Sequence, residues 1–181
     1  MSQIISVKSN IDELIKKYSV SDSKIPNAIK NALNKTGAKL KTQTDKFVRS
    51  NLAIKKQFVS PRIKPKSALI DRLVYELRVS NKPFHVMRFK GVRQTKKGIS
   101  YKHDPKESKR LIRGAFIENA RGRSNPLALR RKTKRRYPLR RLVRTSVHDV
   151  VKNHDYSILI NKLARKDFSN QLTNQLKRFM A

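Results

Sequence analysis

Ile25, Ala28, Ile29, Ala32, Thr36, Leu40, Gln43 and Phe47 recur at spacings of three and four, which puts them on one face of a helix. Ser23 is a candidate N-cap, and Pro26 falls in the first turn, where its missing N–H costs nothing. The pattern predicts an amphipathic helix across residues 23–50, cap included, with Lys30 and Lys41 on the opposite side. Gly37 is a local weakness in it, because glycine is a poor helix former. Ahead of it, residues 1–22 read as an arm in which Ile11 to Tyr18 forms a short helix capped by Asn10. One more helical turn is expected between Asn51 and Val59.

The period then changes. Ser60-Pro61 and Lys64-Pro65 oppose further helix. Leu73, Tyr75, Leu77 and Val79 alternate with Val74, Glu76, Arg78 and Ser80, the period of a strand. Asn81-Lys82-Pro83 ends it, and Phe84 to Phe89 reads as the next strand. Thr95-Lys96-Lys97-Gly98 predicts a hairpin turn closed by Gly98, with Ile99-Ser100-Tyr101 returning. Leu111 to Ile117 is a further apolar run, and short strands are expected at Leu127–Leu129 and Leu139–Val143. Residues 147–181 are read as a C-terminal helical segment with Phe168, Leu172, Leu176 and Phe179 on one stripe and Ile158 above them. Such a stripe packs on a sheet or, alternatively, forms a subunit interface. The predicted class is α+β in one domain, residues 1–181. An N-terminal and a C-terminal helix pack on an antiparallel or mixed sheet of four to six strands spanning 60–146, with an extended basic loop at 120–146.

Charge changes this picture from a fold to a partner. The 181 residues carry 45 Lys and Arg against 12 Asp and Glu, a formal net charge of +33. Apolar residues make up 37%, with seven Phe and five Tyr, enough for a modest core. The basic residues concentrate where acids are missing. No acid lies between Glu118 and Asp149, and the densest part runs Arg130-Arg131-Lys132-Thr133-Lys134-Arg135-Arg136, followed by Arg140, Arg141 and Arg144. Folding gains nothing from such self-repulsion, so an external polyanion or acidic protein surface is expected to neutralise it. Arg93, Lys96 and Lys97 form a second, smaller group. Tyr137 is the one aromatic inside the run, and no base-reading motif accompanies it, which points to phosphate contacts blind to sequence.

Candidate chemistry is thin. Cysteine is absent, which excludes disulfides and thiolate metal sites. His148-Asp149 and His154-Asp155 look like a metal-dependent nuclease fragment, but a spacing of six puts the two histidines on different helix faces. His85 and His103 sit in unrelated strand contexts. The five glycines form neither a P-loop nor a dinucleotide fingerprint. No catalytic residue, metal or cofactor is expected. The N-terminus lacks the apolar run of a signal peptide, and no run is long enough to span a membrane.

Pro83 to Ser100, with Arg93-Gln94-Thr95-Lys96-Lys97-Gly98 at its centre, resembles the central signature of the phage minor tail protein Z family. Ala32-Leu33-Asn34-Lys35-Thr36 is similar to the core of its N-terminal helix, and Gly114-Ala115-Phe116-Ile117 to one of its strands. Tyr137 to Leu142, running on to Thr145-Ser146-Val147, is similar to its Pro-hydrophobe segment. The pieces stand in the family's order over residues 25–150. Arg144-Thr145-Ser146-Val147 departs from its Gly-Pro-Ser-Val-type ending, and 121–136 is more basic than the family pattern.

The resemblance implies a non-enzymatic virion protein at the head-proximal end of a long tail, made in the host bacterial cytoplasm. It implies a homo-oligomeric ring, a hexamer by expectation, beside tail terminator, tail tube and head–tail connector proteins. In that setting Arg130, Arg131, Lys132, Lys134, Arg135, Arg136, Arg140 and Arg141, with Arg93, Lys96 and Lys97, are expected to contact packaged DNA or acidic neighbours. A free, sequence-nonspecific nucleic-acid-binding protein of ribosomal or nucleoid type is the alternative that composition alone supports.

Overall fold

The structure is a computed structural model that describes residues 24–119, 126–152 and 154–180. The expected short helix at Ile11–Tyr18 and the Ser23 cap lie outside the described residues. In chain order the elements are α1 (Ile25–Asn51), α2 (Lys56–Val59), β1 (Ile63–Lys66), β2 (Glu76–Val79), β3 (Phe84–His85), β4 (Lys90–Thr95), β5 (Gly98–Lys102), β6 (Arg110–Arg113), β7 (Ala115–Glu118), β8 (Leu127–Arg131), β9 (Leu139–Arg141), β10 (Val143–Arg144), α3 (Val147–Val151) and α4 (His154–Met180). The class is α+β, and every described strand pair is antiparallel. Instead of one sheet of four to six strands, the ladders are short: β1-β2, β10-β3, β4-β5-β6 and β7-β8-β9. The chain forms two compact units.

Unit 1 takes in α1 as far as Asp45, Ile63–Val79 and the chain from Val151. Its centre is helix on helix: Ile25, Ala28, Ile29 and Ala32 of α1 pack with Phe168, Leu172 and Leu176 of α4. The stripe on α4 steps by four through Tyr156, Ile160, Ala164, Phe168, Leu172 and Leu176, all buried. Ile158, expected above that stripe, is exposed, because two residues before Ile160 is about 200° away around the helix. The Phe179 side chain lies outside the described residues. On α1 the expected face holds through Leu40 and then continues at Thr44 and Val48, not at Gln43, which is exposed, or Phe47, which is half-buried. Lys30 and Lys41 are half-buried, and the outward cations are Lys35, Lys39 and Lys46. Thr44 Oγ1 lies 2.8 Å from the Tyr156 hydroxyl and donates to the Leu40 carbonyl. Burial raises the Tyr156 phenol pKa, and the Thr44 hydrogen bond works against this.

Gly37 has a positive reason. The Tyr75 ring lies directly where a Cβ on Gly37 would stand. Gly37→Ala gains about 1 kcal/mol of helix propensity and loses more by displacing the ring. Thermal melting is expected to show a net loss of stability, relieved in Gly37→Ala/Tyr75→Val.

Two predicted strands change character. The alternation from Leu73 becomes strand only at Glu76, where β2 pairs with β1. β1 leaves no strand signal in the sequence, since Pro65 lies inside it; an edge strand tolerates proline because that N–H needs no partner. Phe84 to Phe89 is not one strand. After Phe84–His85 the chain makes a 3₁₀ turn, Val86–Arg88, in which His85 Nδ1 accepts the Met87 N–H at 3.4 Å.

Unit 2 holds Lys46–Arg62 and Ser80–Val150. Its aromatic centre is Phe89, edge-on to Tyr101 at 5.5 Å and stacked on His103 at 5.3 Å between centroids. The Ala53 N–H donates to the His103 carbonyl, and the Ala53 carbonyl accepts from Lys90. The predicted turn at Thr95–Gly98 is present, with Thr95 opposite Gly98. The apolar run Leu111–Ile117 splits at Gly114, whose φ of +67° turns the chain between β6 and β7. Ser146 and Asp149 cap α3 reciprocally: the Ser146 N–H donates to Asp149 Oδ2 at 2.7 Å, and the Asp149 N–H to Ser146 Oγ at 3.1 Å. Asp149 therefore has a structural task beside His148.

Candidate nucleic-acid interface

The basic segment, expected as an extended loop with short strands at Leu127–Leu129 and Leu139–Val143, is a built hairpin of β8 and β9. β8 and β9 pair Leu129 with Arg141, Arg130 with Arg140 and Arg131 with Leu139. The tip, 132–138, closes through the Lys132 N–H to the Pro138 carbonyl at 3.0 Å and the Arg135 N–H to Thr133 Oγ1 at 3.3 Å. Its base is anchored: Ala128 and Leu129 are buried, and β8 is held on its other side by β7. From Arg130 to Arg141 every residue is exposed except half-buried Leu139. Ala128 and Leu129 are consecutive and point to opposite faces of β8, so burial of both means that this part of the strand is covered on both faces.

Arg130 and Arg140 stand directly opposite each other, so their like charges meet on one face of the ladder. Among the described residues no carboxylate pairs with the hairpin; ion pairs elsewhere include Lys39 with Asp167, Arg72 and Arg78 with Glu76, and Arg110 with Glu107. Unit 2 contains 27 of the 45 Lys and Arg but only Asp104, Glu107, Glu118 and Asp149 as acids. Three of these are committed locally, Asp104 to the Lys106 N–H, Glu107 to Arg110 and Asp149 to its helix cap. The arrangement presents a ridge of cations to an external anion. Its aromatic content is small. The Arg131 guanidinium lies 5.8 Å from the Phe116 ring centroid, and Arg136 lies 5.8 Å from that of Tyr137.

The second basic group joins the first through the backbone. Arg93, Lys96 and Lys97 are exposed on the β4–β5 hairpin. The Lys97 carbonyl accepts the Gly114 N–H, Ala115 pairs with Arg130, and Arg130 with Arg140. Gln94 ties the same two ladders: its Oε1 accepts the Ile117 N–H at 2.9 Å, and its Nε2 donates to the Ala115 carbonyl at 3.4 Å and to Thr95 at 3.0 Å. A side-chain amide here substitutes for a missing strand pairing. No periodicity marks Gln94, so sequence reasoning gave it no role beyond its place in the Arg-Gln-Thr-Lys-Lys-Gly segment. The other candidate residues fall elsewhere. Phe168, Leu172 and Leu176 are interior to unit 1.

His85 and His103 flank this sheet system. Burial lowers the His85 pKa first, with Arg141 and Arg88 adding to it against the Ala128 carbonyl. Burial also leads for His103, followed by Arg110, with Arg144 in the same sense and Glu107 and Asp104 opposing. Both folded values lie below the ordinary 6.5. As pH falls through about 6.5 the unfolded chain takes up protons that the folded chain refuses, so stability falls. The melting temperature is expected to drop between pH 7.5 and 5.5, and less so in His85→Gln/His103→Gln.

No group of three or more His, Asp or Glu side chains gathers as a metal site among the described residues, and no described helix is long and apolar enough to cross a membrane. Neither the curated proteins nor the solved structures contain a match. The family model of the prophage minor tail protein Z matches residues 7–181, nearly the whole chain, and extends the likeness carried by Arg93–Gly98 and Gly114–Ile117 to both units. The chain belongs to the prophage minor tail protein Z family, a structural, virion-component family of phage tails that is not known as enzymatic.

Proposed function

We propose that this protein completes the head-proximal end of a phage tail and helps join it to the head, as a homo-oligomeric ring around the DNA channel. The β8–β9 hairpin contacts the packaged DNA there through phosphates. The observation that carries this reading is the exposed hairpin with eight cations, Arg130, Arg131, Lys132, Lys134, Arg135, Arg136, Arg140 and Arg141, and no acidic partner among the described residues. A ring multiplies this charge, and phosphate contacts carry no sequence information, so DNA is held yet remains free to slide. Arg93, Lys96 and Lys97 extend the same cationic surface.

Tail terminator, tail tube and connector proteins are the neighbours in this reading. Since Phe168, Leu172 and Leu176 are interior, a subunit contact on α4 falls to its exposed apolar residues, Ile158, Leu159 and Leu163. A density map of the intact virion tests the position. The chain is expected in a ring between tail tube and portal with the hairpins turned inward. Density only at the distal tip, or hairpins facing outward, overturns the reading.

A further inference from the structure

A cavity of about 360 Å³ opens within unit 2 where β5, β6 and β10 come together. β5 and its continuation supply Tyr101 and His103, β6 supplies Arg110, Leu111 and Ile112, and β10 with its continuation supplies Arg144 and Thr145. Two guanidinium groups, an imidazole and two hydroxyls thus share one small concavity with an aliphatic wall. The cation is positioned before any ligand arrives. Arg144 Nε donates to the Tyr101 hydroxyl at 3.0 Å, and its guanidinium lies 5.9 Å from the Tyr101 ring centroid. Arg144 has no carboxylate partner among the described residues, whereas Arg110 is engaged by Glu107 at 2.5 Å. His103 stacks on Phe89, its Nε2 lies 3.4 Å from Thr145 Oγ1, and its buried Nδ1 has no hydrogen-bond partner.

Shape decides between anions. A duplex backbone is convex and is met by projecting cations, which the hairpin supplies. A concave site with an apolar wall suits a single side chain whose head is anionic and whose stem is apolar. Leu111, 42% exposed, and Ile112 give the stem its surface. Of the four acids in unit 2, Asp104, Glu107 and Asp149 already have local partners, which favours a carboxylate brought by a partner.

We propose that this cavity docks a glutamate or aspartate side chain, flanked by an apolar residue, from a partner protein, with Arg144 as its principal cation. The site stands apart from the hairpin's proposed contact with DNA, and the test separates them. The full chain is titrated with N-acetyl-Leu-Glu-Leu-amide while the ring resonances of Tyr101 and His103 and the Arg144 Nε–H are followed by NMR. Saturable shifts are expected, at least tenfold weaker with the Gln counterpart. They should be lost in Arg144→Gln, weakened in Arg110→Gln, and retained when Arg130–Arg136 are neutralised. The rest of the Arg144→Gln spectrum should match wild type, and Arg144→Lys should restore part of the binding if charge is what counts. Equal responses to both peptides, no response, or indifference to both Arg144 variants overturns the proposal. Duplex DNA moving the same resonances in the hairpin-neutralised chain would make this a phosphate site and overturn it as well.

Discussion

Replacing Arg130, Arg131, Lys132, Lys134, Arg135 and Arg136 by glutamine is expected to flatten the salt dependence of DNA binding. Each phosphate neutralised on duplex DNA contributes about 0.9 to the slope of log affinity against log salt, so six contacts account for about five. At low salt the affinity should fall by on the order of a thousandfold, for any sequence alike. The fold should survive, because these side chains are exposed and make no ion pair among the described residues. Unfolding should be unchanged or slightly harder, since part of the cationic crowding around the Arg130–Arg140 pair is relieved. In the phage, tails should assemble and lose DNA retention. A slope that stays put, measured by fluorescence anisotropy between low and physiological salt, removes the hairpin from DNA. A failure of assembly with DNA binding intact makes it a protein interface.

Gly98→Ala is expected to be the most damaging single-methyl change in unit 2. Gly98 has a φ of +148°, a region L-residues rarely adopt. It also opens the central strand of β4-β5-β6, opposite Thr95 on one side and Arg113 on the other. A Cβ there would overlap the Ile112 carbonyl oxygen and stand 2.9 Å from its carbon and 3.0 Å from Arg113 Cα. All three are backbone atoms that cannot turn aside as a flexible side chain would. Strain and clash together are expected to cost about 3 kcal/mol or more, read as a lowered denaturation midpoint in urea. Gly114→Ala is the control. Its φ of +67° is also unfavourable, but nothing lies within 4 Å of the added methyl, so a loss of about 1 kcal/mol is expected. Equal losses at the two positions would show that backbone conformation, not the Ile112 contact, makes glycine necessary at Gly98.

Helix α1 was legible because its period of 3.6 persists from Ile25 to Leu40, and the Thr95–Gly98 turn because Gly98 follows a polar pair just ahead of the strand Ile99-Ser100-Tyr101. Phe84 to Phe89 is not one strand because the His85 ring accepts the Met87 N–H two residues on, a local competition that apolar pattern does not register. The run Leu111–Ile117 looked continuous because one glycine inside an apolar stretch can pass through a strand or turn it, and only the partners on either side decide. Gln94 left no signal, since one amide has many uses and its partners at Ala115 and Ile117 are far along the chain.

By itself the sequence determined the sign and place of the charge, the α+β class and the family resemblance, because these rest on residue types and local order. Tertiary structure decided what that charge is mounted on. Pairing of Arg130 with Arg140, burial of Ala128 and Leu129, and closure of the tip turn a basic run into a projecting ridge. It also turned the stripe Phe168, Leu172 and Leu176 inward against α1 and gathered Tyr101, Arg110 and Arg144 around one cavity. Pairing register and burial depend on partners distant in sequence, and those contacts exist only once the chain has closed on itself.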